Sequence, residues 1–176
     1  MTPRTVKDYC QMASVARREG RPDDAKSSAE QAVILARASG NDAELVRALM
    51  MLGQVERDND RHPEALKSYQ EAVRLSRIVD PPTRFAHTLR HLGDLHTERG
   101  QLTEAETHYA EALDIYRTSD DTTPGDLANM LRAYAVMKDA AGSAVDARRL
   151  WTEARRLYQS LGIQEGVDEC DTRINR

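Results

Sequence analysis

HPEALKSYQEAVRL, residues 62–75, realigns on LTEAETHYAEALDI, residues 102–115, after a shift of 40. The same register finds PDDAKSSAEQAVIL from Pro22 and, after a 42-residue step, AVDARRLWTEARRL from Ala144. Self-similarity at a fixed period decides the fold before any local reading does, because each repeat must bury its apolar face against its neighbours. Four columns define the register. One alanine column runs Ala25, Ala65, Ala105 and Ala147, and a second, seven residues on, runs Ala32, Ala72, Ala112 and Ala154. Between them stand Ala29, Tyr69, Tyr109 and Trp151, and twelve residues before the first column stand Ala13, Gly53, Gly93 and Ala135.

Each unit reads as two helices. The first carries apolar residues three apart, as in Leu49, Leu52 and Val55 or Leu89, Leu92 and Leu95. A break follows at Gly20, Asp60, Gly100 and Gly142, where the chain needs the left-handed conformation that ends a helix. The second helix begins near Pro22, Pro63, Thr103 and Val145; proline is tolerated there because its missing N–H has no intrahelical partner. Asn41, Asp80 and Thr123 are expected N-caps in the links between units. Gly or Ala at a helix crossing lets two backbones approach, and Tyr69, Tyr109 or Trp151 fills the adjoining gap.

Composition agrees and excludes several classes. Among 176 residues there are 23 Ala and 21 Arg, both good helix formers, against 4 Lys, with hydrophobic residues at 40% and aromatics at 5%. No apolar run approaches the ~18 residues of a spanning helix, so no membrane partner is expected. A formal charge of −4 lacks the basic excess of nucleic-acid binders, so none of these is expected as a partner. Cys10 and Cys170 form no CxxC, and MTPRTVKDYCQM has no apolar core of a signal, so a reducing, cytoplasmic setting is expected. Arginine far outnumbering lysine associates with a GC-rich bacterial genome. Catalytic signatures such as HExxH, GxGxxG, GxxxxGK[ST] and GxSxG are absent, so no enzyme, catalytic residue or cofactor is expected.

The spacing of these columns resembles the tetratricopeptide repeat family, which places Gly or Ala eighth, Ala twentieth, an aromatic twenty-fourth and Ala twenty-seventh. The resemblance covers roughly residues 5–161. The family's closing Pro is replaced by Arg37, Arg77, Arg117 and Gln159, so the second helix runs on for another turn, similar to the long-helix variant of kinesin light chains and related bacterial sensors. Its aromatic at position eleven is replaced by Ala16, Glu56, His96 and Lys138. The implied fold is all-α, a right-handed α-α superhelix of four helical hairpins. The repeats are expected at about 5–40, 41–80, 81–121 and 122–162 of a single domain spanning 1–176. Ile163, Val167, Cys170 and Ile174 give a short ninth helix over 163–176 that caps the last unit.

The resemblance also implies a concave groove lined by the first helices, where peptide ligands lie. Register carries Lys7, Cys10, Ser14 and Arg17 onto it from the first unit and Arg47, Met50, Gln54 and Arg57 from the second. The third contributes His87, Arg90, His91, Asp94 and Thr97, and the fourth Asn129, Arg132, Val136 and Asp139. Lys7, Arg47, Arg90 and Arg132 gather at the helix starts, and guanidinium forks pair with carboxylates, so an acidic or C-terminal carboxylate segment of a protein partner is expected. The Lys and Asn pairing of the family's chaperone-binding clamp is absent, with Cys10 and Ser14 in its place.

His87, His91 and Asp94 share a helix face, but nothing completes a four-ligand metal site, and no metal is expected. His96 is expected to pack, His62 and His108 to lie on the surface, and Tyr116 and Tyr158 to join the core. The alternative to peptide binding is self-association into a homodimer through the first unit's uncovered end, around Tyr9 and Met12.

Overall fold

A computed structural model describes residues 4–175, so the ends of the 1–176 domain reading, residues 1–3 and 176, lie outside the described residues. Every regular element among the described residues is an α-helix. They fall into two compact units divided between Asp80 and Pro81. The first holds α1 (Val6–Arg18), α2 (Pro22–Ser39), α3 (Asp42–Asp58) and α4 (His62–Val79). The second holds α5 (Pro82–Glu98), α6 (Leu102–Thr118), α7 (Pro124–Ala140), α8 (Ala144–Ser160) and α9 (Gln164–Ile174). Within each unit every helix packs on the next, and the first helices of successive hairpins also touch, α1 on α3 and α5 on α7.

The turns inside the hairpins form as the spacing predicts. Gly20, Gly100 and Gly142 hold φ of 66°, 70° and 72°, and Asp60 holds 57° where the other hairpins use glycine. An aspartate in that region carries a steric cost that glycine avoids, of about 1 kcal/mol. Asn41 and Thr123 cap α3 and α7, their side chains accepting from the backbone N–H groups of Glu44 and Asp126. Asp80 does not cap α5, contrary to expectation. It closes α4 and accepts from the Ser76 hydroxyl at 2.6 Å, while Pro81 takes the N-cap position of α5.

All four repeat columns are buried. Tyr69 and Trp151 are 0% exposed and Tyr109 is 1% exposed, between alanine columns no more exposed than that. The reason for the small column is visible at two crossings. A Cβ on Gly53 would lie 2.7 Å from Cε1 of Tyr69, and one on Gly93 would lie 2.9 Å from Cε1 of Tyr109. α9 docks by the same device, since a Cβ on Gly166 would lie 2.6 Å from Cγ of Tyr158. Val167 and Cys170 of α9 are buried, and Arg155 on α8 forks onto Asp171 at 2.5 and 3.1 Å.

The extra turn of the second helices has a use. Arg37 on α2 reaches Glu71 on α4 at 2.7 Å, and Arg117 on α6 reaches Glu153 on α8 at the same 2.7 Å. Both bridges lie on the surface and contribute at most about 1 kcal/mol each, so they register the second helices more than they stabilise them.

Glu56 occupies the family's aromatic position on α3, is 7% exposed, and accepts from the Ser68 hydroxyl at 2.8 Å. Burial pushes its carboxyl above the usual range; the Ser68 bond and the Arg61 and Lys26 charges oppose that, while Glu64 adds to it. A carboxyl raised in the fold favours folding below its unfolded value, and that contribution is lost as pH rises through the folded value. Glu56→Gln keeps an acceptor for Ser68 without the charge. It is expected to raise stability at pH near 7 by about 1 kcal/mol. The gain should vanish below about pH 4, which paired thermal melts at the two pH values would show.

Candidate functional site

In the first unit, Val6, Lys7 and Cys10 of α1 and Glu44, Arg47 and Met51 of α3 line one cavity of about 250 Å³. Val6 is buried in its floor, at 4% exposure, while Lys7 and Arg47 are exposed at its rim. Among the described residues neither Lys7 nor Arg47 makes an ion pair within 4 Å. Burial raises the Cys10 thiol above its usual value, and the Arg47 charge partly offsets this, so Cys10 acts as an apolar wall.

Met50, expected in the groove, is partly buried against the cluster that holds Val46, Leu49 and Ala72; Met51, one residue on, lines the cavity and is partly buried against the cluster that holds Ala13 and Val55. The physical reason is helix phase, since one residue rotates a side chain by about 100° around the axis. Further along the same face Arg17 forms an ion pair with Asp58 at 2.6 Å and donates to Oε1 of Gln54 at 3.0 Å. Gln54 is thereby engaged within the protein.

In the second unit, the structure gathers three of the expected residues around the guanidinium of a fourth, Arg90. Arg90 lies 3.5 Å from Nε2 of His87 and 3.0 Å from Nε2 of His91, and pairs with Asp94 at 3.4 Å. Asp94 also accepts from the Tyr109 hydroxyl at 2.7 Å, and burial, with the Asp94 charge, raises that phenol. Burial, then the Arg90 charge, holds His87 below the usual imidazole range, which keeps its ring neutral and able to accept from Arg90. The two Nε2 atoms that would ligate a metal are thus met by a resident cation. Among the described residues no three His, Cys, Asp or Glu side chains gather as a metal site.

Asn129 and Arg132 of α7 are also engaged. Asn129 accepts from the Tyr158 hydroxyl at 2.9 Å, and Arg132 forks onto Glu169 of α9 at 2.6 and 2.9 Å. The cation row expected from the sequence therefore differs between its members: Arg90 and Arg132 spend their donors internally, whereas Lys7 and Arg47 do not.

His96 is buried and shares a hydrogen bond of 3.0 Å with Oε1 of Gln101. His62 and His108 lie half-buried at the surface; His108 stacks on His96 with ring centroids 5.4 Å apart, because it lies on α6 facing the end of α5.

A chain of stacked helical hairpins with alanine columns defines a repeat scaffold of the helix-turn-helix type. The family model for the tetratricopeptide repeat matches residues 8–78 and 84–162, and the chain belongs to that family. No curated protein sequence matches the chain. Among crystal structures it is similar to BtubC (BKLC) of P. vanneervenii, with 21% identity and a TM-score of 0.78 over 89% of this chain. The chain spans 64% of that protein's length. It is similar also to the kinesin light chain TPR-like repeats of Podosopora anserina, with 15% identity, a TM-score of 0.74, and coverage of 97% of this chain and 93% of that one. A signal transduction ATPase of Pyrococcus horikoshii with a tetratricopeptide repeat sensor gives 14% identity and a TM-score of 0.83 over 96% of this chain and 26% of that one. At these identities the likeness concerns the fold, which is all-α helical repeat. Proteins of this family are generally protein-interaction scaffolds and typically non-catalytic. No described helix is long and apolar enough to cross a membrane.

Proposed function

We propose that the chain is a non-catalytic interaction module that binds an acidic or carboxylate-ended protein segment on the exposed faces of its first helices. The cavity between α1 and α3 carries this reading. Its Val6, Cys10 and Met51 walls suit an aliphatic side chain, and Lys7 and Arg47 stand at the rim with donors to spare. Glu44 on the same rim disfavours a second carboxylate deeper in, so one terminal or side-chain carboxylate fits better than an acidic run. In the second unit, Arg90, His87, His91 and Asp94 supply a pre-organised polar surface in place of free charge, and a ligand there would meet hydrogen-bonding groups already held in position. Its partner class is therefore protein, in a cytoplasmic, reducing setting compatible with the free thiols Cys10 and Cys170.

A fluorescent peptide ending in a leucine with a free carboxylate, and the same peptide ending in an amide, test this reading on the whole chain. The free acid is expected to bind about tenfold more tightly, the effect of one charge-assisted contact of roughly 1.4 kcal/mol. That preference should disappear in the Lys7→Glu/Arg47→Glu variant while its melting curve stays unchanged. Equal binding of acid and amide by the unmodified chain would rule the carboxylate preference out.

A second reading, self-association, has one observation in its favour. Met12 is 38% exposed on a depression of about 690 Å³ that it shares with Val15, Ala16 and Ser28 at the outer side of α1 and α2. Light scattering across a concentration series decides it: a growing mass supports the contact, and a constant monomer mass removes it.

A further inference from the structure

The outer face of α8 differs from that of every other second helix in a way the repeat packing does not require. Val145, Arg148, Arg149, Thr152 and Arg156 lie on one side of α8 and, with Glu153, line a shallow surface depression of about 610 Å³. The repeat register supplies its own controls. The matching positions are Asp23, Lys26, Ser27, Glu30 and Ile34 on α2, and Pro63, Leu66, Lys67, Gln70 and Arg74 on α4. On α6 they are Thr103, Glu106, Thr107, Ala110 and Asp114. Only α8 carries arginine three times in that set, and only there does an unpaired aliphatic side chain open the row, Val145 at 84% exposure.

The helix's other charges are spent. Glu153 is taken by Arg117 at 2.7 Å, and Arg155 is taken by Asp171. Arg149 stands 3.8 Å from Asp146 with 70% of its side chain exposed, and among the described residues Arg148 and Arg156 pair with no carboxylate. In a chain of net charge −4, a face holding three solvent-facing guanidinium groups, against Asp146 beside Arg149 and a Glu153 already paired with Arg117, is a local reversal of sign.

We propose that this face docks an acidic α-helical segment of a partner protein, side by side with α8. Val145, Arg149, Thr152 and Arg156 follow one another at steps of four, three and four residues, the spacing at which two aligned helices meet repeatedly along a seam. A partner helix with Asp or Glu at that spacing, and an apolar residue opposite Val145, matches both the charge and the interval. Nucleic acid fits less well. Single strands bind basic grooves through aromatic side chains that stack on bases, and the aromatics of α8, Trp151 and Tyr158, are buried. This surface is separate from the cavity between α1 and α3, and it does not depend on the carboxylate reading of that cavity.

The test uses the whole chain and two labelled model peptides of identical composition, each three heptads long. One places glutamates at alternating three- and four-residue steps along a single face, and the other spreads them around the helix. At low salt the aligned peptide is expected to bind at least about tenfold more tightly, because exposed charge pairs add only when several engage together. Arg148→Glu/Arg149→Glu/Arg156→Glu should abolish that binding with unchanged helicity and melting, and Lys7→Glu/Arg47→Glu should leave it intact. Equal binding of the two peptides, or binding that survives the triple reversal, overturns the proposal. So does capture of a single-stranded oligonucleotide, lost on triple reversal, by a chain that ignores the aligned peptide.

Discussion

Trp151→Ala is expected to cost about 3–5 kcal/mol, the largest single-residue loss in the chain. The indole is fully buried in α8, between the fully buried Ala154 one turn on and Ala147 one turn back. Its Nε1 donates to Asp139 of α7 at 2.9 Å, and the Arg173 guanidinium of α9 lies 5.8 Å from the ring. One side chain therefore joins α7, α8 and α9. Removing it leaves a cavity that flanking alanines cannot refill, because a methyl side chain has no rotamer that reaches into it. Trp151→Phe keeps most of the ring and loses the bond to Asp139, which is one-third exposed and able to turn to water. It should cost about 1–2 kcal/mol. Chemical denaturation of the two variants separates volume from hydrogen bonding, and a similar loss in both would show that the bond to Asp139, not the packing, holds the three helices.

Gly53→Ala is expected to destabilise by about 2 kcal/mol although alanine is the better helix former by roughly 1 kcal/mol. The added methyl would stand 2.7 and 2.8 Å from two ring carbons of Tyr69, itself fully buried on the facing helix. A ring so enclosed has no free rotamer to move into, so the backbones of α3 and α4 must part. In a Tyr69→Ala background the obstacle is gone, and the same Gly53→Ala change should become neutral or stabilising. A change of sign of this kind is a coupling energy between contacting residues, measurable as a double-mutant cycle. If the two losses simply add, the small-and-large pairing is not what sets the crossing.

These two sites were legible in the sequence for a physical reason. Packing between hairpins recurs with the period, so Gly53 and Gly93, or Tyr69 and Trp151, reappear in register. The turn residues were legible on the same ground, since each hairpin needs one left-handed position and the chain supplies Gly20, Asp60, Gly100 and Gly142 there. Recognition residues do not repeat, and their partners come from elsewhere. The bridge from Arg132 to Glu169 spans 37 residues and joins α7 to a capping helix outside the repeat, so no local spacing announced it. Arg90 sat in plain view between His87 and His91, but its role as the shared donor to both rings depends on rotamers. Met50 and Met51 differ only in helix phase, so the repeat spacing does not separate them, and Pro81 beside Asp80 itself takes the N-cap position of α5.

The proposed division of labour is that repeat columns hold the helices while the faces between them bind. It places binding on the first-helix surface between α1 and α3, where Lys7 and Arg47 form no ion pair among the described residues. A two-dimensional amide spectrum of the isotope-labelled chain, titrated with the leucine-ended free-acid peptide, tests this most directly. Saturable shifts centred on Val6, Lys7 and Cys10 of α1 and on Arg47 and Met51 of α3 are expected, with the amides around Trp151 unmoved. Shifts that bypass α1 and α3, or a spectrum left unchanged at saturating peptide, would contradict it.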